Sequence, residues 1–293
     1  MPELPEVETV RRLLEANILG RTIRATRLSG LPLRGERVPR ALPRQIAGRR
    51  FTAARRHGKY LLLDLNGGWT LLSHLGMSGR WLFHPDPPLK RMAHVHARIH
   101  FDDGTQLWFQ DPRRFGMLRL TRTDALAQDP SLVILGPDPV FDPPSGTSLH
   151  ALAEGARVSL KSFLLDQRRL AGIGNIYASE ILHRAGLHPR ILAGSVHVEA
   201  WDRVARATNA VLREAIARNG TTFSSYRTLW DEAGGYGERL RVYDRAGQAC
   251  PVCGEPVRRI VQQARSTFFC PRCQPAKRAT AAKRAKSRPR RAG

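Results

Sequence analysis

The sequence of 293 residues has no run of eighteen apolar residues, so no segment is typical of a membrane-spanning helix. Its opening is also unlike a secretory signal peptide, because Glu3 and Glu6 stand where a basic stretch followed by an apolar one would be needed. Hydrophobic residues make up 42% of a chain that is long enough to bury a sizeable core. We therefore expect a folded, monomeric protein of the cytoplasm with no part in a membrane.

Acidic residues are scarce. The chain has 25 Asp plus Glu against 48 Lys plus Arg, and its net charge of +23 exceeds what solubility requires. Eight cations lie in an acid-free tail after Gln274, and the rest of the chain still carries +15 once they are subtracted. The excess predicts a polyanionic partner, although composition alone does not separate a specific nucleic-acid role from general adhesion to RNA or acidic lipid. The tail cations are Lys277, Arg278, Lys283, Arg284, Lys286, Arg288, Arg290 and Arg291.

Cysteine is rare too, and all four residues fall into one pattern. Cys250 and Cys253 form one C-x-x-C pair, Cys270 and Cys273 form another, and sixteen residues separate the pairs. Two such knuckles typically hold one tetrahedral zinc ion, whereas disulfides, the alternative, belong to exported proteins. Because four thiolates leave the ion no open position, the pattern predicts a structural zinc ribbon and not a catalytic metal.

The segment between the two cysteine pairs carries Arg258, Arg259 and Arg265. A zinc-stabilised hairpin with arginines on it suits contact with phosphates or a DNA groove. Solvated surface charge is the alternative interpretation of each arginine.

The first part of the chain predicts one helix followed by a β-rich domain. Apolar residues recur at helical spacing from Val7 to Ile18, and Gly20 follows as a signal for the helix end. From Thr22 to Leu120 short β-rich runs are joined by tight turns such as Asn66-Gly67-Gly68 and Asp102-Asp103-Gly104. The pattern predicts an antiparallel sandwich or barrel over roughly the first 120 residues. The clearest runs are Tyr60–Leu65, Trp69–Leu75, His94–Phe101 and Gln106–Phe109.

A mainly helical part follows a linker. Residues 135–146 contain four prolines and two glycines, which interrupt every periodic pattern. Helical spacing then recurs in four segments, until the chain turns to short strands around the cysteines from about Leu240. The tail is rich in Ala, Arg, Lys and Pro, cannot form a core, and is predicted to be disordered. The helical segments are Leu149–Ala153, Lys161–Asp166, Ile173–Arg184 and Val198–Ala217.

The chain opens on Met1-Pro2-Glu3, and a small second residue such as proline generally permits removal of the initiator methionine. Removal would expose a secondary amine. An α-amino group has an ordinary pKa of about 7.7 to 8.0, so part of it is neutral and nucleophilic at pH 7. Attack on a sugar carbon gives an iminium ion, which acidifies the neighbouring carbon and allows an attached phosphate to leave. Glu3 and Glu6 are candidates for the acid–base partner, but they suit the positive end of the opening helix equally well.

Six features, taken in order, resemble one enzyme family. They are PELPEVETVRR at the start, GKYLLL at 58–63, HLGMSG at 74–79, DPRRFG at 111–116, LLDQRRLAGIGNIYASE at 164–180 and the four cysteines. Over about 270 residues, leaving only the tail uncovered, this order resembles the formamidopyrimidine-DNA glycosylases.

The resemblance implies an α+β fold. Its parts would be an N-terminal antiparallel β-sandwich with the opening helix at 1–134, the linker at 135–146, a helix-two-turn-helix domain at 147–239, a zinc ribbon at 240–274 and the basic disordered tail at 275–293. Double-stranded DNA would lie in the cleft between the two large parts. The implied reaction is base-excision repair: removal of oxidised purines such as 8-oxoguanine and formamidopyrimidines, then β- and δ-elimination at the abasic site. The protein would work in the cytoplasm on the nucleoid.

The same resemblance assigns the catalytic residues. Pro2 matches the family's nucleophile, and Glu3 matches the acid–base group that helps to open the sugar ring. Glu6 would orient the N-terminus. Lys59 would hold a phosphate and assist proton transfer, and Arg265 would complete the catalytic set.

Contacts with DNA phosphates are implied for His74, Asn175 and Arg265, and Lys161 is assigned to DNA binding. Asn175 precedes a predicted helix starting near Ile176, whose free N–H groups would face a phosphate. From the sequence alone, Asn175 would equally be an ordinary helix cap.

An enzyme that acts on a stacked base must take the base out and fill the vacancy. Met77, Arg113 and Phe115 match the family residues that do this, with two apolar wedges and a guanidinium for the orphaned cytosine. Without the resemblance, core packing would be the simpler interpretation of Met77 and Phe115.

One region departs from the family. The loop that covers the flipped purine is implied at Thr221, Thr222 and Tyr236, but the family's usual Gly-Tyr-Phe string is here Gly235-Tyr236-Gly237. Lesion preference is therefore less firmly indicated than reaction type. Two alternatives stay open: an enzyme of the endonuclease VIII type, which excises oxidised pyrimidines, and a noncatalytic zinc-ribbon DNA-binding protein.

Overall fold

A computed structural model describes residues 1–86, 92–222 and 226–276. Within the described residues, the first half has one long helix, one short helix and eight strands. They are α1 (Leu4–Ile18), β1 (Ile23–Leu28), α2 (Leu42–Ile46), β2 (Phe51–His57), β3 (Tyr60–Leu65), β4 (Trp69–His74), β5 (Arg80–His84), β6 (Val95–Phe101), β7 (Gln106–Gln110) and β8 (Met117–Arg122).

The eight strands form two antiparallel sheets of four, in the orders β1-β6-β7-β5 and β2-β3-β4-β8. Alternate residues of each strand point into the space between the sheets, as the period of two requires. In β6 and β7, for example, Ile99 and Leu107 are paired and buried in this core, whereas their neighbours lie on the outer face. The predicted sandwich is thus confirmed.

The second half is helical and ends in a hairpin. Its elements are α3 (Gly146–Ala153), α4 (Leu160–Leu165), α5 (Asn175–Ala185), α6 (Val198–Ala217), β9 (Arg258–Gln262) and β10 (Arg265–Phe269), with 3₁₀ turns at Ala193–Ser195 and Tyr236–Arg239; a further 3₁₀ turn, Thr123–Gln128, follows β8 in the first half. The apolar face of α6 packs on α3 and α5, with Trp201 fully buried against Phe163. Helix α5 ends at Gly186, whose φ of 69° is the left-handed geometry that favours glycine.

Each half contributes residues to the hydrophobic core of the other half. Leu4 is buried in the helical core, but Val7, one turn further along α1, is buried in the sandwich core. In the other direction, Tyr226 and Leu229 leave the helical half and are buried in the sandwich, where Leu229 accepts a backbone hydrogen bond from Phe83. The predicted second domain, residues 147–239, therefore includes a segment that packs in the core of the first domain.

Most predicted elements are present within a residue or two of their expected ends. Helix α1 begins three residues before the first apolar position of the predicted helix, with Pro5 in its first turn. Helix α2 was not predicted. Among the described residues no helix is both long and apolar enough to cross a membrane. The predicted tail lies outside the described residues from residue 277 onward.

Candidate active site

The start of the chain is bound to the start of α5. The backbone N–H groups of Ile176 and Tyr177 donate to the two carboxylate oxygens of Glu3 at 3.0 and 3.3 Å. The N-cap of α5 is Gly174, and a Cβ there would lie 2.3 Å from the carboxyl carbon of Glu3. The positive end of α5 therefore holds a carboxylate of the protein itself, which corrects the expectation that these amides face a phosphate.

Glu6 holds Glu3 and α5 together through hydrogen bonds to both. Its side chain is 1% exposed and accepts hydrogen bonds from the Glu3 N–H at 2.8 Å, the Thr221 N–H at 2.7 Å and the Tyr177 hydroxyl at 2.5 Å. Burial, and next the charge of Glu3, raise the pKa of Glu6 to about 7. Glu6 thus links the N-terminal residues to α5 and to Thr221.

Lys59 also lies at the start of α5. Its ammonium group is buried and donates to the Ile173 carbonyl at 3.2 Å, in the loop that leads into α5. Burial lowers the pKa of Lys59, the nearby charge of Arg265 lowers it further, and Glu3 and Glu6 oppose the shift. Because the ammonium form is less favoured here, Lys59 is better suited than an exposed lysine to exchange a proton.

The turn before Lys59 is held by the linker. Asp138 accepts hydrogen bonds from the Gly58 N–H at 2.9 Å and from the guanidinium of Arg56, which also donates to Glu8 at 3.0 Å. All three charged side chains are buried, so their charges are compensated within one cluster. A Cβ at Gly58 would lie 3.0 Å from the Cβ of Ala171, which shows how closely the turn approaches the helical half.

Two further polar residues of the predicted site, Lys161 and Asn175, meet under the β9–β10 hairpin. Lys161 donates to the Ser266 carbonyl at 2.9 Å and to the Thr267 hydroxyl at 2.7 Å, and the Asn175 side-chain amide donates to the same carbonyl at 3.0 Å. Lys161 and Asn175 therefore hold the hairpin, while Arg265 at its tip is exposed. Burial, together with the Arg265 charge and against the attraction of Glu3, lowers the pKa of Lys161 to about 8.

His74 is buried at the end of β4 beside the ring of Tyr60. Its Nδ1 accepts hydrogen bonds from the Gly76 N–H at 2.9 Å and from Arg34 at 3.1 Å, which assigns the proton of the neutral ring to Nε2. Burial and the charges of Arg34 and Lys59 lower the pKa of His74 to about 3. A neutral ring with a free Nε2–H is a suitable donor to a phosphate.

Met77 and Phe115 lie on two adjacent loops and are 39% and 43% exposed, so core packing is wrong for both. Arg113 stacks its guanidinium 4.9 Å from the centre of the Phe115 ring. Asp111 fixes the loop, because it accepts hydrogen bonds from the Ser78 hydroxyl at 2.5 Å and the Gly116 N–H at 2.7 Å. The predicted wedge residues thus form one exposed group on a rigid base.

The predicted lesion-loop residues have different surroundings. Thr221 is buried and bound to Glu6, and the Thr222 hydroxyl accepts a hydrogen bond from the Gly234 N–H at 2.8 Å. Tyr236 is 3% exposed and packs 6.0 Å from the ring of Tyr177, in the helical core. Its expected place in the loop that covers a flipped purine is therefore corrected, because the ring is buried against α5. Residues 223–225 of the predicted loop lie outside the described residues.

The four cysteine sulfur atoms all lie within 4.8 Å of one another, and three pairs are separated by 3.4, 3.4 and 3.9 Å. A tetrahedron with Zn–S bonds of about 2.3 Å has S–S edges of about 3.8 Å. The cysteines therefore fit one structural zinc ion, which would neutralise the thiolates and hold the knuckles together. His183, whose ring is buried, lies with Nε2 3.4 Å from the Cys250 sulfur.

Three further residues of the site, Tyr177, Glu180 and Asp138, had no predicted role. Tyr177 and Glu180 stand in the motif at 164–180, on the first turns of α5, which is the only signal that pointed to them. Glu180 is buried and accepts hydrogen bonds from the N–H groups of residues 241–243, so it fixes the segment that leads to the zinc ribbon. Asp138 stood in a proline-rich segment that indicated only a linker.

Comparisons with known proteins agree with this geometry. Three family models match: the formamidopyrimidine-DNA glycosylase N-terminal domain at residues 1–118, its H2TH domain at 135–227, and a zinc finger found in FPG and IleRS at 247–276. The formamidopyrimidine-DNA glycosylase of Cereibacter sphaeroides is 44% identical over 94% of this chain and all of its own length.

Solved structures agree as well. The crystal structure of MutM (Fpg) from Thermus thermophilus is 41% identical with a TM-score of 0.81, covering 93% of this chain and 98% of that one. A complex of a Lactococcus lactis Fpg mutant with DNA containing Fapy-dG is 30% identical with a TM-score of 0.84, covering 94% of this chain and all of that one. On these grounds the chain belongs to the formamidopyrimidine-DNA glycosylase family of DNA repair enzymes.

Proposed function

We propose that the protein removes oxidised purines, such as 8-oxoguanine and formamidopyrimidines, from double-stranded DNA and then cuts the strand, with the amine of Pro2 as nucleophile. One observation carries the proposal: Glu3, next to Pro2, is fixed on the N-terminus of α5 among the charges of Lys59, Lys161 and Arg265. A carboxylate and a nucleophilic amine beside a cluster of cations suit chemistry on a sugar between two phosphates.

The first step breaks the bond between base and sugar. Removal of Met1, which is 50% exposed, frees the Pro2 nitrogen. That nitrogen attacks C1′ of the damaged nucleotide, and the base leaves with the electron pair of the glycosidic bond and takes up a proton. The Pro2 nitrogen then gives its N–H proton to the Glu3 carboxylate. Glu3 passes this proton to the ring oxygen as the C1′–O4′ bond breaks and the nitrogen lone pair forms an iminium ion with C1′.

Strand cleavage follows from the iminium ion. Loss of the C2′ proton moves an electron pair into the C2′–C3′ bond and expels the 3′-phosphate. A second elimination, begun by loss of the C4′ proton, expels the 5′-phosphate. The lowered pKa of the buried Lys59 supports its role in accepting and returning protons, and the exposed Arg265 and the Nε2–H of His74 would hold the phosphates.

Base recognition needs the lesion to leave the stack. The exposure of Met77 and Phe115 supports their insertion into the base step that the lesion leaves. Arg113, which lies beside Phe115, would hydrogen-bond the cytosine that has lost its partner. A DNA substrate and the net charge of +23 also support a location on the nucleoid in the cytoplasm.

Borohydride trapping tests the nucleophile. With an 8-oxoguanine:cytosine duplex we expect a covalent protein–DNA adduct whose DNA maps by mass spectrometry to the Pro2 nitrogen. A matched protein that keeps an uncleaved peptide before Met1 should bind the same duplex but form no adduct. Cleavage of damaged DNA by the blocked protein would overturn the mechanism.

Substrate class is tested in the same assay. An adduct with thymine glycol but not with purine lesions would instead indicate the endonuclease VIII type. Binding with no adduct on any lesion would indicate a noncatalytic DNA-binding protein.

A further inference from the structure

The outer face of the first sheet carries a cluster of arginines that the repair chemistry does not use. Because side chains alternate along a strand, Ile99 and Leu107 point into the core, and their neighbours Arg98, His100 and Gln106 point outward. On the adjacent strand β1, Arg27 lies directly opposite Arg98, and Ala25 lies opposite His100. An irregular register between Ile23 and Ala25 leaves Arg24 exposed beside them.

These arginines are not neutralised within the described part of the chain. No carboxylate of that part lies within ion-pairing distance of Arg24, Arg27 or Arg98. Arg98 stacks instead on Trp108, 4.9 Å from the ring centre. Like charges directly opposite each other destabilise an antiparallel pair, so three uncompensated cations on one face indicate an anionic ligand.

A concave surface lies between them. A cavity of about 350 Å³ is lined by Arg24, Arg27, His100, Gly104 and Gln106. The Nε2 of His100 is shielded from solvent and has no hydrogen-bond partner among the described residues. Burial and the three arginine charges lower the pKa of His100, which keeps the ring neutral at neutral pH and leaves the positive charge to the arginines.

The cavity is separate from the cleft. Gln106 begins β7, and the loop with Arg113 and Phe115 follows the other end of that strand, so about 17 Å of extended chain separates the two at roughly 3.4 Å per residue. Neither carboxylate of the β6–β7 turn is paired with these arginines: Asp103 is paired with Arg21, and Asp102 has no cation within ion-pairing distance among the described residues.

We propose that this face, defined by Arg24, Arg27, Arg98 and His100, binds the phosphate backbone of a second segment of duplex DNA while the cleft holds the first. A sheet face with several guanidinium groups suits sequence-independent contact with phosphates, which is mainly electrostatic. Two segments bound at once would let the protein pass from one duplex to another without first dissociating.

The test fills the cleft first. The full-length zinc-loaded protein is saturated with a short duplex that contains a stable abasic-site analogue, and a fluorescent undamaged duplex is then titrated while anisotropy is measured at several salt concentrations. The variant is Arg24→Gln/Arg27→Gln, because both side chains are exposed and unpaired and their loss should not unfold the sheet. The control is Arg206→Gln/Arg213→Gln, which removes the same charge from exposed positions on α6.

We expect the wild type and the control to bind the second duplex, and the variant to bind it about tenfold or more weakly at 0.1 M salt. The slope of log K against log salt should fall by about 1.8, at about 0.9 for each lost phosphate contact. Excision from the short duplex alone should be equal in all three proteins.

Three results would overturn the proposal: no second duplex bound by the wild type, equal weakening in variant and control, or displacement of the second duplex by polyglutamate as effectively as by polyphosphate. The last result would indicate an acidic protein surface as the ligand. Because excision is measured separately, failure of the proposed second site and failure of the proposed repair function are distinguishable.

Discussion

Replacing Glu6 by Gln should change how the stability of the protein depends on pH. Glu6 is buried, and burial raises its pKa from an ordinary 4.5 to about 7. For a group whose folded pKa is raised, the stabilising contribution is complete below the unfolded pKa and is lost as pH rises through the folded pKa. Between pH 5.5 and pH 8.5 the wild type should therefore lose about 2 kcal/mol of unfolding free energy on account of Glu6 alone.

The amide in Glu6→Gln has no charge to bury, but it accepts hydrogen bonds through one oxygen only. Glu6 uses one oxygen for the Tyr177 hydroxyl and the Thr221 N–H and the other for the Glu3 N–H, so the Gln side chain leaves the Glu3 N–H without an acceptor. A buried donor left unpaired costs about 1 to 3 kcal/mol. The variant should thus be less stable than the wild type at pH 5.5 and close to it at pH 8.5.

Urea unfolding followed by tryptophan fluorescence at pH 5.5, 7 and 8.5, with zinc present throughout, measures this difference. Glu36→Gln, at an exposed position, is the control and should give the same difference from the wild type at every pH. A deficit of Glu6→Gln that stays constant or grows as pH rises would refute the reasoning, because it would mean that Glu6 is an ordinary carboxylate in the folded protein.

Four further changes have definite expected outcomes. Asp138→Asn breaks the buried cluster around Arg56 and should lower the unfolding free energy by about 3 kcal/mol, whereas Asn at the exposed Asp142 should have no effect in the same urea titration. Phe115→Ala should slow excision of 8-oxoguanine about 10- to 100-fold in single-turnover assays while leaving cleavage of a preformed abasic site nearly unchanged; equal losses would place Phe115 in the chemistry instead. His74→Ala should weaken binding to an abasic-analogue duplex by the same factor at pH 5.5 and pH 8, since the pKa of His74 is lowered to about 3, and a loss seen only at the lower pH would mean that the ring is charged. Removal of zinc should lower DNA affinity about tenfold or more, because Arg265 is on the hairpin that the metal holds; unchanged affinity after verified metal loss would contradict this.

Local patterns predicted the elements well where one physical signal dominated. An apolar run predicted the strand Tyr60–Leu65, and a period of 3.6 residues predicted the helix Val198–Ala217. Both elements begin and end in the structure at the predicted residues. Helix α2 has only five residues, one of them Pro43, so it is too short to give a period. The cysteine spacing was sufficient for the zinc site because four ligands in two knuckles are a local feature.

Contacts between residues far apart in the chain could not be predicted from the sequence. Glu3 binds the amide of Ile176 across 173 positions, and no pattern near either residue indicates that pairing. Tyr226 and Leu229 are apolar residues of a helical half, and only the folded chain shows that they complete the sandwich core. For Met77 and Phe115 the sequence alone favoured burial, because an exposed wedge and a core residue have the same chemistry.

The division of α1 between two cores has a consequence for motion. Residues 3 and 4 are anchored to the helical half through Ile176 and Gly172, while Val7 and the following turns are packed in the sandwich. The reacting end of the chain is thus fixed to α5, whereas the wedge loops are fixed to the sheets. Any rotation of one half against the other would change the distance between the amine and the wedges, so the continuous helix α1, which is packed in both cores, sets that distance.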